Sequence, residues 1–259
     1  MTGELRYTMM DPSGNVTILV ESPVPEAEQP AIAERLLALE PSAEQVGFLT
    51  RCDASGVALR MAGGEFCGNA AMCAAVYYAQ QNDLTGGTIS VDISGAPFPL
   101  AVAIDRDRVG LWRGRVAMPR PVSIKAITFP GGWTLPVVFF HGIAHVILRS
   151  SMSRSEAEKT IAVWCDFLKA EALGLMFVDL LEERLTPLVY VPAVNSLYWE
   201  NACGSGISAV GAWMAAEKGT PVHVALRQPG GILEVDADPS GSLILQGTVR
   251  LRYAKTVYL

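Results

Sequence analysis

The chain is short of charge: 18% of its 259 residues are Asp, Glu, Lys or Arg, against 50% hydrophobic. It has no Lys/Arg-rich run, and its net charge is −6 with a pI near 5.2. A nucleic-acid partner is therefore not expected. No apolar stretch approaches the roughly 18 residues a membrane span needs. Met1-Thr2-Gly3-Glu4-Leu5-Arg6 lacks the charged-then-apolar layout of a signal segment. These absences predict a cytoplasmic protein with no membrane partner. Cysteine is sparse and odd in number: Cys52, Cys67, Cys73, Cys165 and Cys203. In a chain of this length that argues against a disulfide framework. No two are spaced Cys-x-x-Cys and the three histidines do not cluster with them, so no metal site is expected.

What is present is a hydrophobic content sufficient for one or two globular cores and two cysteines in nearly the same setting. Cys67 lies in Gly64-Glu65-Phe66-Cys67-Gly68-Asn69-Ala70-Ala71, and Cys203 in Asn201-Ala202-Cys203-Gly204-Ser205-Gly206-Ile207. Each is followed by Gly, a small polar residue and an apolar, Ala-rich helical stretch. A Cys at the mouth of a helix has its thiolate stabilised by backbone N–H groups and the helix dipole. Cys73 and Cys165 sit in apolar helical patterns and nothing around Cys52 suggests activation; these three read as structural.

The flanks repeat as well. Met9 to Leu19 and Phe139 to Leu148 each read as a strand, a Gly-containing break and a β-branched strand. A helix follows in both, over 30–40 and over 155–172, the second with Ser153 or Ser155 as N-cap and Glu156 and Glu158 in its first turn. Val46-Gly47-Phe48-Leu49 then matches Leu173-Gly174-Leu175-Met176, followed by each Cys-Gly motif; the second Cys helix ends at Lys218-Gly219. At a constant offset of 133, Leu100–Asp105 matches Leu233–Asp238 and Gly114-Arg115-Val116 matches Gly247-Thr248-Val249. Both pairs read as antiparallel strands around polar turns, at 105–108 and 238–241. The pattern predicts a duplicated α+β chain divided near Pro119-Arg120-Pro121. Residues 1–119 would carry the first Cys and 120–259 the second, with the C-terminal strand free to cross over. A cleft between two such domains would bring Cys67 and Cys203 together.

Two facing thiols can invert a stereocentre without any cofactor. One, as thiolate, removes a proton from carbon, and the other, as thiol, returns one to the opposite face. Thiols suit this because their reference pKa, about 8.5, is tunable toward neutrality. Helix N-termini can bind the substrate carboxylate and stabilise charge that moves onto it.

Cys67-Gly68-Asn69-Ala70-Ala71-Met72-Cys73 and Ala202-Cys203-Gly204-Ser205-Gly206 resemble the two motifs of diaminopimelate epimerases. Pro12-Ser13-Gly14-Asn15 resembles that family's Gly-Asn segment, Gly142-Ile143-Ala144-His145 its Gly-x-x-His segment, and the order of segments matches over essentially the whole chain. The resemblance to these cofactor-independent amino-acid racemases and epimerases implies two similar domains, each a mixed sheet wrapped around a central helix, with the site in the interdomain cleft. It implies Cys67 and Cys203 as the two bases. Asn15, Gly68, Asn69, Gly204 and Ser205 would bind the substrate's α-amino and α-carboxylate groups, and His145 would orient the substrate or tune a thiol. An amino acid is the implied small-molecule ligand, and a homodimer is one candidate assembly that the sequence leaves open.

The departures concern the distal pocket. Diaminopimelate epimerases carry Glu-Arg some eight or nine residues before the second Cys, the Arg holding the distal carboxylate; here Val194 and Asn195 stand there, and Asn cannot replace that charge. Ile143 replaces the family's Asn, Val16 its Asp, and Tyr198-Trp199-Glu200-Asn201 differs from its Gly-Glu-Thr. Proline racemases carry His after the first Cys-Gly, where this chain has Asn69. Histidine racemases keep both cysteines and lack the distal Arg. Glu44, before the first Cys, could accept a hydrogen bond from an imidazole, Trp199 or Tyr198 could stack on it, and Glu200 joins the candidate pocket. Histidine is the best single substrate. The alternatives are diaminopimelate epimerase proper, a same-fold isomerase shifting a proton on a non-amino-acid substrate, a cysteine hydrolase using one thiol and a His, and a non-catalytic binding scaffold.

Overall fold

The computed structural model describes residues 3–107 and 109–259, apart from the side chain of Val194. Met1, Thr2 and the Arg108 position of the first polar turn lie outside them. Along the chain run β1 (Glu4–Pro12), β2 (Thr17–Val20), α1 (Gln29–Leu39), β3 (Gln45–Asp53), β4 (Gly56–Met61), α2 (Gly68–Gln81), β5 (Gly86–Ile93), β6 (Leu100–Arg106) and β7 (Trp112–Ala117). Then come β8 (Ser123–Thr128), β9 (Thr134–Phe139), β10 (Ala144–Leu148), α3 (Arg154–Leu168), β11 (Leu173–Asp179), β12 (Arg184–Val191), β13 (Ser196–Trp199), α4 (Gly204–Lys218), β14 (Val222–Gln228), β15 (Gly231–Ala237) and β16 (Leu243–Tyr258). Two compact units result: residues 1–117 with 246–259, and residues 118–245. The boundary lies at 117/118, and most of the last strand, which the sequence left free to cross over, packs with the first unit.

In the first unit the strands follow the order β1-β2-β3-β4-β5-β6-β7-β16, and β16 pairs back onto β1 from Tyr258 opposite Glu4 to Val249 opposite Pro12. The sheet closes on itself and leaves no exposed edge. It is mixed: β2–β3 and β4–β5 are parallel, β1–β2 and β3–β4 antiparallel. The helix α2 fills it, touching β1 through β7. Every residue from Gly68 to Tyr77 is buried, as expected for a helix apolar all round. Its alanines let the strands approach closely; on β7, a Cβ at Gly114 would stand 2.7 Å from Met72 Sδ. On the outside, α1 buries Ala33 and Leu36 with Tyr7, Ile18, Val46 and Phe48. Its C-cap Glu40 is buried, and its carboxylate accepts from Tyr7 Oη at 2.5 Å, Tyr253 Oη at 2.7 Å and Lys255 Nζ at 3.0 Å.

The second unit has the strand order β8-β9-β10-β11-β12-β14-β15, with β13 paired to β12. Here β10–β11 and β12–β14 are parallel. Its buried helix is α4, packed on β9, β10, β11, β14 and β15, with Gly211 admitting Val235. The amphipathic α3 lies over β11 and β12 and buries Ala157, Ile161, Trp164 and Cys165 in one cluster with Phe129, whose ring stacks on Trp164 at 4.2 Å. Ser153 caps α3, its Oγ accepting the Glu156 N–H at 3.2 Å. The helix ends at Leu168, not Ala172, because Lys169 turns left-handed (φ 52°) and the chain must extend from Leu173 to pair with β10. Each unit is a mixed sheet around one buried helix, so the α+β class holds unit by unit.

Candidate active site

Cys67 is the N-cap of α2 and Cys203 the N-cap of α4, both in extended backbone conformation. Each sulfur accepts the N–H of the third helical residue, from Ala70 at 3.4 Å and from Gly206 at 3.3 Å. Sulfur thus takes the place that a Ser or Asp oxygen normally fills at a cap. The next two residues, Gly68 and Asn69 or Gly204 and Ser205, form first turns, whose N–H groups are not used inside a helix and favour anions.

Around Cys67 the first unit assembles a polar network. Gln45 Oε1 accepts the Cys67 S–H at 3.2 Å. Gln45 Nε2 donates to Asn15 Oδ1 and Thr17 Oγ1, both at 2.7 Å. Asn15 Oδ1 also accepts from Asn69 Nδ2 at 3.1 Å, and Asn15 Nδ2 donates to Glu44 Oε2 at 2.5 Å. Asn15 reaches this place because the Asp11-Pro12-Ser13-Gly14 turn is held from both ends. Asp11 Oδ1 accepts the Gly14 N–H at 2.7 Å, and Arg252 Nη2 binds Asp11 Oδ2 at the same distance. Cys67, Asn69, Asn15 and Glu44 are therefore joined through one network, with Gly68 next to Cys67 at the start of α2.

Around Cys203 the second unit brings His145, Ser205 and Glu200. His145 is fully buried on β10, opposite Gly174 of β11. A Cβ at Gly174 would collide with the imidazole Nδ1, so glycine there makes room for the ring. His145 Nε2 lies 3.0 Å from Ser205 Oγ, which lies 3.5 Å from Cys203 Sγ. Among the described residues Nδ1 has no hydrogen-bond partner. Placing the ring proton on Nε2 serves its one contact and leaves the Ser205 O–H for the sulfur. Burial lowers the His145 pKa to about 3, so the ring is neutral at physiological pH. Burial also pushes the Cys203 thiol well above its ordinary value. The Glu200 carboxylate, which accepts the S–H, adds to that rise; Ser205 and the Gly206 N–H oppose it. Cys203 rests as a thiol.

Trp199 is engaged by other residues of the second unit. Its ring stacks on Phe177 at 5.8 Å, its Nε1 donates to Glu158 Oε1 at 2.8 Å, and the Arg154 guanidinium lies 4.7 Å over it. It fastens β13 to α3. Tyr198 is exposed on the same strand. Among the described residues no three His, Cys, Asp or Glu side chains converge as a metal site, and no helix is long and apolar enough to cross a membrane.

Residues 4–256 match the family model described as the histidine racemase CntK N-terminal domain. The chain belongs to that family. Membership makes it an amino-acid racemase and hence an isomerase. It is 27% identical over 260 residues to a histidine racemase of Staphylococcus aureus, covering 95% of this chain and 93% of that one. It is 29% identical over 264 residues to a histidine racemase of Fusobacterium nucleatum, covering 98% and 97%. The crystal structure of a Bacillus anthracis phenazine biosynthesis protein of the PhzF family matches with a TM-score of 0.71 at 14% identity, over 99% of this chain and all of that one; this likeness is one of fold. The resemblance to two-cysteine racemases, histidine racemases among them, agrees with the family match.

Two residues beside the thiols make contacts that the sequence did not assign to them. Gln45 follows the singled-out Glu44, yet it is Gln45 that touches the thiol. Gln228 binds the backbone of Cys203 through both amide atoms. Its signal was the alternation Val222, Val224, Leu226, Gln228, which places a polar residue on the buried face of β14.

Proposed function

We propose that this racemase interconverts the enantiomers of free histidine by a two-base exchange between Cys67 and Cys203. The observation that carries this reading is the repeated geometry: in each unit a cysteine sulfur caps a buried helix and accepts a first-turn N–H. Because Cys203 rests as a thiol, it is the resting donor and Cys67 begins as the base. Once Cys67 has given its S–H proton to water, its thiolate takes the α-hydrogen as a proton, and the electron pair left on carbon delocalises into the substrate carboxylate. First-turn N–H groups stabilise that charge. Cys203 delivers its proton to the opposite face, leaving Cys67 as thiol and Cys203 as thiolate, ready for the reverse reaction or for proton exchange with water. The route requires the two sulfurs on opposite sides of one α-carbon. Glu44 is suited to accept an imidazole N–H, and no Arg stands where a distal carboxylate would need one.

The test is incubation of reduced protein with L-histidine, with diaminopimelate and with other L-amino acids in heavy water, followed by chiral separation and mass analysis. Inverted, α-deuterated histidine is expected. Cys67→Ala and Cys203→Ala should each lower kcat about 10²–10⁴-fold. Exchange confined to diaminopimelate would refute the substrate assignment, and substantial inversion by either Ala variant would refute the two-base route.

A further inference from the structure

Cys203 Sγ is at once the reactive atom and the acceptor that caps α4. In a capping box the third helical residue reciprocates, its Glu or Gln side chain accepting the N–H of the cap residue. Here that residue is Gly206. A Cβ there would collide with Met176 Sδ and stand 3.1 Å from Cys203 Sγ. The helix therefore cannot supply the second half of its own box. Gln228 supplies it from the end of β14: Oε1 accepts the Cys203 N–H at 2.7 Å, and Nε2 donates to the Cys203 carbonyl at 3.4 Å. The side chain is 3% exposed, and both its polar atoms bind one residue. Beside it the Gly230 N–H donates to the Asn201 carbonyl at 2.8 Å, so the segment entering α4 is bound to the β14–β15 turn at two points. In the first unit the corresponding segment is held by other means, with Ser94 Oγ donating to the Glu65 carbonyl at 2.9 Å, two residues before Cys67.

We propose that Gln228 is a positioning residue for the Cys203 thiol, holding that residue's backbone so that the sulfur keeps one direction in both protonation states. This rests on the reading of Cys203 as a proton-transfer group. An ionised acceptor pulls harder on its donor than a neutral one, so the Gly206 contact tightens and loosens as Cys203 gives up and regains its proton. An amide bound to both the N–H and the C=O of Cys203 resists the torsional swing this would cause. Misplacement by about 1 Å is enough to cost on the order of 10²-fold in rate.

Gln228→Met, close in volume but without either polar atom, and Gln228→Glu are compared with the wild type as full-length proteins. One readout is histidine α-hydrogen exchange between about pH 5 and 9. The other is the rate of iodoacetamide alkylation at Cys203 and at Cys67, resolved by peptide mass. Gln228→Met should lower kcat about 10–100-fold with KM changed less than about threefold, and should alter alkylation at Cys203 but not at Cys67. The Glu variant accepts the N–H in either state but donates to the carbonyl only when protonated, so its activity relative to wild type should rise as pH falls. Wild-type exchange and unchanged Cys203 alkylation in both variants would overturn the proposal, as would equal changes at both cysteines, the mark of a general loss of fold. A wild type that exchanges no amino acid would show the reaction to be misread, and Cys203 alkylation would then decide the role of Gln228. If the Met variant does not fold, the pH-dependent recovery of the Glu variant decides it.

Discussion

His145 shows what one buried side chain commits a fold to. Its ring is enclosed between Gly174 and Ser205 and is held neutral by burial, with a pKa of about 3. In the unfolded chain an imidazole titrates near pH 6.5. The folded value is depressed, so the unfolded state binds the extra proton first as pH falls. Stability is full above about pH 6.5 and is lost between there and about pH 3, at a limiting slope of roughly 1.4 kcal/mol per pH unit. His145→Gln, which keeps a donor toward Ser205, should flatten that slope in urea titrations across this range; an unchanged slope would mean the ring is not neutral in the fold. At this scale the sequence was partly legible. Cys67 and Cys203 announced themselves because a helix mouth needs a cap, a glycine and small residues, all local features. Gln45 and the true surroundings of Trp199 depend on which strand or helix arrives from elsewhere, and no local pattern encodes that; for Gln228 the alternation of β14 marks a buried polar residue but not its partner.

Glu40 makes the equivalent point for elements. It ends α1 and ties that helix to β1 through Tyr7 and to β16 through Tyr253 and Lys255. Burial would raise its pKa, but the two phenol hydrogen bonds and the ammonium outweigh burial and leave it lowered. A depressed carboxylate contributes stability above its unfolded pKa of about 4.3 and loses it as pH falls through the folded value. Glu40→Gln should therefore cost about 1.5–3 kcal/mol near neutrality and much less in acid, measured by denaturant midpoints at the two pH values. Equal losses at both would point to packing, not charge. The elements themselves were legible because period-2 and Ala-rich apolar patterns recur in both halves. The end of α3 was not, since a left-handed lysine at 169 is imposed by the need of Leu173 to join β10.

For the whole molecule, duplication could be read from the constant offset of the strand pairs, whereas the sequence allowed the last strand to cross over without deciding it: Gln246–Leu259 lies in the second half in sequence and completes the first unit in space. Deleting residues 246–259 should expose β1 along its length and unfold the first unit, seen as rapid proteolysis within residues 3–117 while fragments of 118–245 persist; equal resistance to protease throughout would contradict the ring closure. The same closure inverts the order of assembly during synthesis. Domains ordinarily fold as they leave the ribosome, amino end first. Here the cradle of Cys67 lacks a stave until residues 246–259 have been made, so the unit begun first is completed only after residues 118–245 have been synthesised.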